Sequence, residues 1–368
     1  MKSKKLYYTL MSILMGFVVG AIILIAIGIN PLLAYKEMIL GAFGQPKYIS
    51  WTIVEAVPII LTGIAVAFAF NTGVFNIGAE GQFIVGALVA ALIGVNVTLP
   101  PVIHALVCIA AAILAGGIWG GLVGLFKAKR GVNEVISCIM LNWIAFYFSN
   151  YMLTKPFLRK PDSNYSFDIQ DSASIRILGE WKRSEAGREI LKEMDLLRNL
   201  LNPPVHWGIL IAILVAIIAW YILKKTTLGY QLKAVGFNRY AAEYGGINIS
   251  KNIITSMAIS GAIAGLAGGI NVLGVSENIG LLASQQGYGF NGIAVSLIAV
   301  NNPLACIPAG ILFAGLNYGG GKLNSRLNTP SEIINILIGV IVLFIAMPKL
   351  LEIIRNFGSK KKGGEMND

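Results

Sequence analysis

Charge is scarce in this sequence: Lys, Arg, Asp and Glu together make up 13% of 368 residues, against roughly a quarter in a soluble domain. A chain so poor in charge cannot coat a water-soluble globule. Histidine occurs twice and cysteine three times. His104 and His206 are far apart and form no metal-ligand pattern. Cys108, Cys138 and Cys306 lie within apolar stretches without metal-type spacing, so they read as buried thiols with no disulfide role. No Walker motif is present. In the nearest candidate, Gly319-Gly320-Gly321-Lys322-Leu323, Leu316 stands where the first glycine belongs and Leu323 where Ser or Thr belongs. No catalytic residue, metal ligand or cofactor site is assigned to the chain.

What is abundant is apolar surface. Hydrophobic residues reach 56%, the mean hydropathy is +0.71 and there are 42 glycines. A bilayer is the natural solvent for such a chain, and small residues let membrane helices approach closely. The net charge of +11 raises nucleic acid as a partner. The cations, however, gather at the chain ends and in short connections, which is the pattern of topology information rather than of a nucleic-acid face.

A spanning helix needs about 20 mostly apolar residues. The sequence places spans near 7–29, 52–70, 75–95, 101–126, 133–153, 205–223, 253–273, 289–301, 303–318 and 331–347. The first follows Lys2, Lys4 and Lys5, shows no small-residue cleavage site and is too long for a signal-peptide core, so it reads as a retained span. The third is interrupted by Gly78 and Gly81. Asn302-Pro303 opens the ninth, and Thr329-Pro330-Ser331-Glu332 opens the tenth as a capping box. With both termini in the cytoplasm, three basic groups fall on the cytoplasmic side: Lys127, Lys129 and Arg130; Lys224, Lys225, Lys233, Arg239 and Lys251; and Lys360, Lys361 and Lys362. The stretch 154–204 then lies outside, and its acidic residues nearly balance its basic ones. Within it, Ile190, Leu191, Met194, Leu197, Leu200 and Leu201 recur at helical spacing, which predicts one amphipathic helix over 180–201.

An internal repeat is faintly visible. Phe75-Asn76-Ile77-Gly78 resembles Phe290-Asn291-Gly292, and each is followed by Val-Asn and a proline. Asn133-Glu134-Val135-Ile136 resembles Ser331-Glu332-Ile333-Ile334. Copies five spans apart run in opposite directions, and inverted repeats place a transport path between two halves. The expected fold class is thus an all-α polytopic membrane protein of about ten transmembrane helices in two inverted-repeat halves. It forms a single domain over 1–368, with an extracytoplasmic insert at 154–204 and a cytoplasmic loop at 224–252.

No Asp lies in any span, and the membrane carboxylates are Glu55 and Glu80, with Glu134 and Glu332 at helix starts. Proton-coupled carriers use paired ionisable groups at depth, so the driving energy points elsewhere. The loop from Lys224 to Asn252 offers a place for it to enter. Asn238 is placed to cap a short helix from Arg239 to Tyr244, ended by a left-handed turn at Gly245 or Gly246. Small Ala241 and Ala242 beside Tyr240 and Tyr244 make a compact plug for a partner groove. An amphipathic loop lying on the membrane surface is the alternative.

This loop, continued by Ile259-Ser260-Gly261-Ala262-Ile263-Ala264-Gly265-Leu266-Ala267-Gly268-Gly269, resembles ABC importer permeases of the branched-chain amino acid, ribose and nucleoside type. Asn76-Ile77-Gly78-Ala79-Glu80-Gly81-Gln82 and the 154–204 insert resemble the nucleoside and simple-sugar branch. The resemblance implies a type II ABC importer permease-like fold in a bacterial inner membrane. It implies that Asn238, Arg239, Ala241, Ala242, Glu243, Gly245 and Gly246 form the coupling helix and its caps, docked on an ABC ATPase subunit that uses the ATP. A second homologous permease subunit and an extracytoplasmic substrate-binding lipoprotein are the other implied partners, with no nucleic acid. The expected cargo is a nucleoside. Simple sugars or branched-chain amino acids are the alternatives within the class, and an ion-coupled secondary carrier is the alternative outside it.

Candidates for the translocation path are Asn71, Phe75, Asn76, Glu80, Gln82, Phe290 and Asn291. For each, the polar or aromatic group either meets cargo or bonds neighbouring helices. Burying the Glu80 carboxylate costs roughly 2.5–3.5 kcal/mol on insertion scales, so it needs a cavity or donors freed by a glycine-broken helix. Gly116, Gly117, Gly120, Gly121 and Gly124, and Gly261, Gly265 and Gly269, read as packing ladders.

Overall fold

The computed structural model describes residues 2–327 and 329–347, with side chains from residue 11 onward. The side chains of Lys2, Lys4 and Lys5 and the tail lysines Lys360, Lys361 and Lys362 lie outside the described residues. The helices, in chain order, are α1 (Lys2–Ala26), α2 (Pro31–Phe43), α3 (Pro46–Phe70), α4 (Ala79–Asn96), α5 (Ile103–Arg130) and α6 (Glu134–Met152). The insert carries α7 (Gly179–Arg183), α8 (Glu185–Glu193) and α9 (Asp195–Leu201). They are followed by α10 (Gly208–Lys225), α11 (Thr227–Phe237), α12 (Arg239–Tyr244), α13 (Ile249–Asn271), α14 (Tyr288–Ile298), α15 (Cys306–Leu327) and α16 (Ser331–Ala346). Among the described residues there is no strand, only three isolated bridges in and around the insert.

Each of the ten expected spans carries a helix, but not every helix is a full span. By length and composition α3, α4, α5, α6, α10 and α13 cross a bilayer. The pair Met11–Ala26 and Pro31–Phe43, bent by 116°, counts as one more at most. α14 and α16 are shorter apolar helices. At about 1.5 Å per residue, the 11-residue α14 covers about half a hydrocarbon core. The first expected span ends early, at Ala26. Asn30 Oδ1 accepts from the N–H groups of Leu32 and Leu33 and starts α2 with Pro31 in its first turn. The ninth span begins at Cys306, one turn later than Asn302-Pro303; Asn302 Oδ1 accepts from Leu304 N, 3.1 Å away, in that turn.

The chain divides by contact into two compact units, residues 46–314 and the flanking segments. In the flanking unit α1 packs on α16, with Gly16 against Ile341 and Gly20 against Leu337. The Tyr35 hydroxyl donates to Phe17 O at 2.7 Å, and Arg326 pairs with Glu37.

In the larger unit α13 is the central helix. Its glycines let α5 and α4 approach until backbones touch: a Cβ on Gly265 would lie 2.4 Å from Ala112 O, and one on Gly86 would lie 2.2 Å from Gly265 O. Gly116, Gly120 and Gly124 meet the backbone at Gly261, Met257 and Ile254 in turn, so these glycine ladders are packing surfaces that run antiparallel. The residues of 154–204 cover one end of the unit. Gln170 N donates to Gly94 O, Ile175 N to Leu273 O and Ile169 N to Glu277 O. At the opposite end Ala69, Val74, Val123, Cys138, Val235, Ala242, Ile253 and Met257 form one buried cluster. That end carries the basic groups of the α5–α6 turn and of α11–α12, among them Lys127, paired with Glu134.

The expected single helix over 180–201 is three short ones. Ser184 Oγ accepts from Gly187 N at 3.1 Å and starts a new helix, and Met194 breaks the chain again. All three cysteines are free and buried.

Candidate functional site

Of the polar membrane residues singled out in the sequence, Asn76, Glu80 and Gln82 gather where two helices begin inside the bilayer, whereas Asn71 lies beyond the far end of α14. The chain leaves α3 at Phe70, turns back through Asn71–Gly78, and starts α4 at Ala79. From the insert-covered end, residues 277–287 run inward without helix. Ile279 O accepts from Ser166 N, and Leu282 exchanges two bonds with the Asn150 side chain. At Gly287 the segment reaches Glu80, and α14 begins. α14 then lies along α3 in the same direction, with Tyr288 O 2.9 Å from Thr62 Oγ1 at its start and Asn301 O 3.1 Å from Asn71 Nδ2 beyond its end.

Glu80 joins the two helix starts. Its carboxylate oxygens accept from Gly287 N and Gly289 N, each at 2.7 Å, and the side chain is fully buried. The N-terminal turn of α14 is where orphan N–H groups and the positive end of the helix dipole lie. Gly289 is required by the closeness of this contact, because a Cβ there would lie 2.2 Å from Glu80 N. Phe83 stacks on Tyr288 with ring centroids 4.8 Å apart.

The amides beside Glu80 are consumed in the same way. Asn76 Nδ2 donates to Gln82 Oε1 (2.9 Å) and Ser260 Oγ (2.7 Å), Gln82 Nε2 returns a bond to Asn76 Oδ1, and Ser260 Oγ donates to Ala65 O. Asn142 Oδ1 accepts from Gly81 N while its Nδ2 donates to Ile77 O. Asn71 donates to Ala67 O and Asn301 O. Asn76, Glu80 and Gln82 are 0% exposed. Their groups therefore hold the broken backbone, which must find partners inside the membrane. Phe75 packs on Phe70, centroids 4.9 Å apart. Phe290 and Asn291 differ: Phe290 is 40% exposed, and the half-buried Asn291 side chain makes no hydrogen bond among the described residues. Asn142, Asn150 and Ser260 were not anticipated as members of this seam. Their partners are 61 or more residues away in sequence, and only the span positions hinted at them.

At the far end α12 has the expected bounds. Asn238 Oδ1 accepts from Ala241 N at 3.1 Å. Ile247 N bonds Ala242 O and Gly246 N bonds Glu243 O, with Gly246 at φ +79°, which is a Schellman ending. Gly246, not Gly245, takes the left-handed turn. Ala242 is turned inward, 4% exposed, into the cluster of Ala69, Val74 and Val235. The Ala242 methyl thus seats α12 on the rest of its own chain. The outward residues are Phe237, Tyr240 and Tyr244, at 90%, 85% and 98% exposure, with Arg239 and Glu243 exposed beside them. Lys233 is half-buried at the edge of a cavity it shares with Asn71 and Asn301; burial, then Lys224, pulls its pKa below the usual lysine range.

Residues 48–346 match the family described as the branched-chain amino acid transport system / permease component. The chain is 38% identical over 355 residues to the guanosine ABC transporter permease protein NupP of Bacillus subtilis, covering 96% of each. It is 32% identical to the nucleoside ABC transporter permease protein NupB of Lactococcus lactis, covering 98% of each. It is 31% identical to the glucose ABC transporter permease protein TsgB13 of Haloferax volcanii, over 91% of this chain and 85% of that one.

Proposed function

The chain belongs to the permease-component family of the branched-chain amino acid transport system, and on that premise we propose that it is the membrane-spanning permease subunit of an ABC importer for nucleosides. It is a multi-pass cell-membrane protein and a transport subunit, not an enzyme. The near-full-length similarity to permeases named for guanosine and nucleosides supports that cargo over a sugar or a branched-chain amino acid. ATP is used by a separate ATPase subunit. A second permease and an extracytoplasmic binding protein complete the transporter.

The observation that carries the coupling role is the outward aromatic row at the end of α11 and along α12. Large exposed apolar side chains on a water-facing helix signal a protein partner, and Phe237, Tyr240 and Tyr244 stand nearly clear of their own chain. The base of Ala242 fixes the helix so that force applied to those rings reaches α13 through Ile253 and Met257. The α11–α12 end is then cytoplasmic and the insert extracytoplasmic, in keeping with the basic groups of the α5–α6 turn and α11–α12. An impermeant thiol reagent added to intact cells should label Lys182→Cys and spare Lys129→Cys; the reverse pattern contradicts the orientation. In the path, Phe290 and Asn291 on α14 are the residues left free to meet a nucleoside base and ribose, facing the second permease.

Reconstitution with ATPase, second permease and binding protein tests the whole reading. Uptake of labelled guanosine should require ATP, survive collapse of ion gradients, and yield to excess unlabelled nucleoside but not to glucose or leucine. Uptake driven by an ion gradient without the ATPase would contradict it.

A further inference from the structure

The acidic and basic residues of 154–204 nearly balance in number but not in space. A cleft of about 670 Å³ between the insert and the first turns of α3 is lined by Arg176, Lys182, Arg183, Arg188, Lys192 and Arg198, and by no carboxylate. Three of these cations are answered from outside the lining: Arg176 by Glu277 (2.6 Å), Arg183 by Asp171 and Glu277, and Arg198 by Asp195. Lys182 reaches only a carbonyl, Leu201 O at 2.8 Å. Arg188 and Lys192 have no ion pair or side-chain hydrogen bond among the described residues. Burial, and then the like charges of Arg176 and Arg183, push the Lys182 pKa below the usual lysine range, with Glu277 opposing them in part.

The remaining walls are mostly apolar, from Trp51, Leu191, Leu201, Pro204 and Val275, with Asn202 the one uncharged polar side chain. Trp51 stands in the second turn of α3, where a spanning helix meets the headgroup layer and tryptophan is favoured. The same short helices that supply the cations leave Ile190, Met194, Leu196 and Leu200 exposed. Apolar residues open to solvent beside a basic rim are the pattern of a helix lying in a membrane interface, with anionic headgroups drawn to its cations. What favours lipid over a soluble acidic protein is Trp51 in the wall, which sets the cleft at the level of the headgroup layer.

We propose that this cleft is a binding site for the headgroup of an anionic phospholipid, held by Lys182, Arg188 and Lys192 while its acyl chains cover the exposed apolar row of α8 and α9. The phosphate accepts from the three cations, and the lipid anchors the insert to the bilayer surface. The site stands independently of which cargo is carried.

The test uses the full chain in its assembled transporter, in nanodiscs of phosphatidylcholine mixed with phosphatidylglycerol. Lipid retained on the protein after mild detergent extraction is identified by mass spectrometry. The native protein should retain phosphatidylglycerol selectively. Removing one surface cation should weaken an anionic lipid about fivefold, so Arg188→Gln/Lys192→Gln should lose about twenty-five-fold, while Arg188→Lys/Lys192→Arg, which keeps both charges, should retain it. Equal retention of both lipids, or selectivity unchanged in the double glutamine variant, overturns the proposal. So does displacement of the lipid by soluble glycerol phosphate or inorganic phosphate at equal concentration, which would assign the cleft to a free anion. Loss of binding-protein capture by the glutamine variant in pure phosphatidylcholine, with lipid selectivity intact, would assign it to a protein partner and equally overturn the lipid site.

Discussion

The seam around Glu80 and the exposed end at α12 carry the residues whose chemistry stands out most in the sequence, and the folded chain treats them in opposite ways. Around Glu80 the carboxylate, three amides and a hydroxyl are paired with one another or with backbone, which leaves Asn291 as the polar path candidate without a hydrogen bond among the described residues. At α12 the aromatic rings that could have packed inward point out, and the smallest side chain, Ala242, is the one buried. In a bilayer an unpaired backbone group costs more than an exposed ring, so polarity is drawn into holding broken helices. In water an exposed aromatic surface persists where a partner covers it. Polar residues in spans and apolar residues in loops thus carry different information: the first reports architecture, the second contact.

The comparison is broken most severely by attacking the frame both regions hang from. Gly265→Leu puts a branched side chain where even a Cβ would touch Ala112 O and the Gly116 backbone. Overpacking costs about 1–3 kcal/mol and occasionally more. With backbone on every side, this substitution should remove the permease from the membrane fraction, as quantified by immunoblot. Normal accumulation would show that α4, α5 and α13 do not pack this tightly.

Next in size is the carboxylate. Glu80→Ala leaves the N–H groups of Gly287 and Gly289 without acceptors, each costing about 1–3 kcal/mol. Glu80→Gln keeps one acceptor oxygen and turns a donor on the other N–H, so it should lose about half as much. The thermal midpoint of the purified protein should fall in the order Glu80→Ala below Glu80→Gln below native, while uptake per folded molecule holds. An unchanged midpoint with lost uptake would make Glu80 a residue of the path. The smallest effect is expected at Lys233→Ala. Its half-buried side chain lines a cavity edge without an ion pair among the described residues, and substitutions that break no buried pair or core packing stay within about 0.5 kcal/mol. A large loss of uptake there would give that cavity a role in the passage of cargo.

Much of the frame could be read from residue order alone, since apolar runs and the glycine ladders Gly116–Gly124 and Gly261–Gly269 are local patterns. So is the Asn238 cap with the Gly246 turn. α2 was missed although Asn30-Pro31 carries the same capping signal as Asn302-Pro303, because an unbroken apolar run outweighed it. The insert breaks at Ser184 for the same reason: helical spacing over 180–201 concealed a capping serine. The partners of Glu80 lie 207 and 209 residues away. No local pattern signals a bond of that span, so its structural use was not legible. The inward turn of Ala242 depends on where Val74 and Val235 come to rest and was hidden in the same way.

Co-purification of the ATPase subunit tests the contrast between the two regions most directly, with each variant expressed in the assembled transporter and its thermal midpoint recorded. Tyr240→Ala/Tyr244→Ala should lose the ATPase and nucleoside uptake with the midpoint unchanged, because those rings stand nearly clear of their own chain. Ala242→Arg should lose the ATPase and lower the midpoint together, because it unseats α12. Retention of the ATPase and of uptake by Tyr240→Ala/Tyr244→Ala would contradict the account and leave the exposed end of α12 without its proposed role.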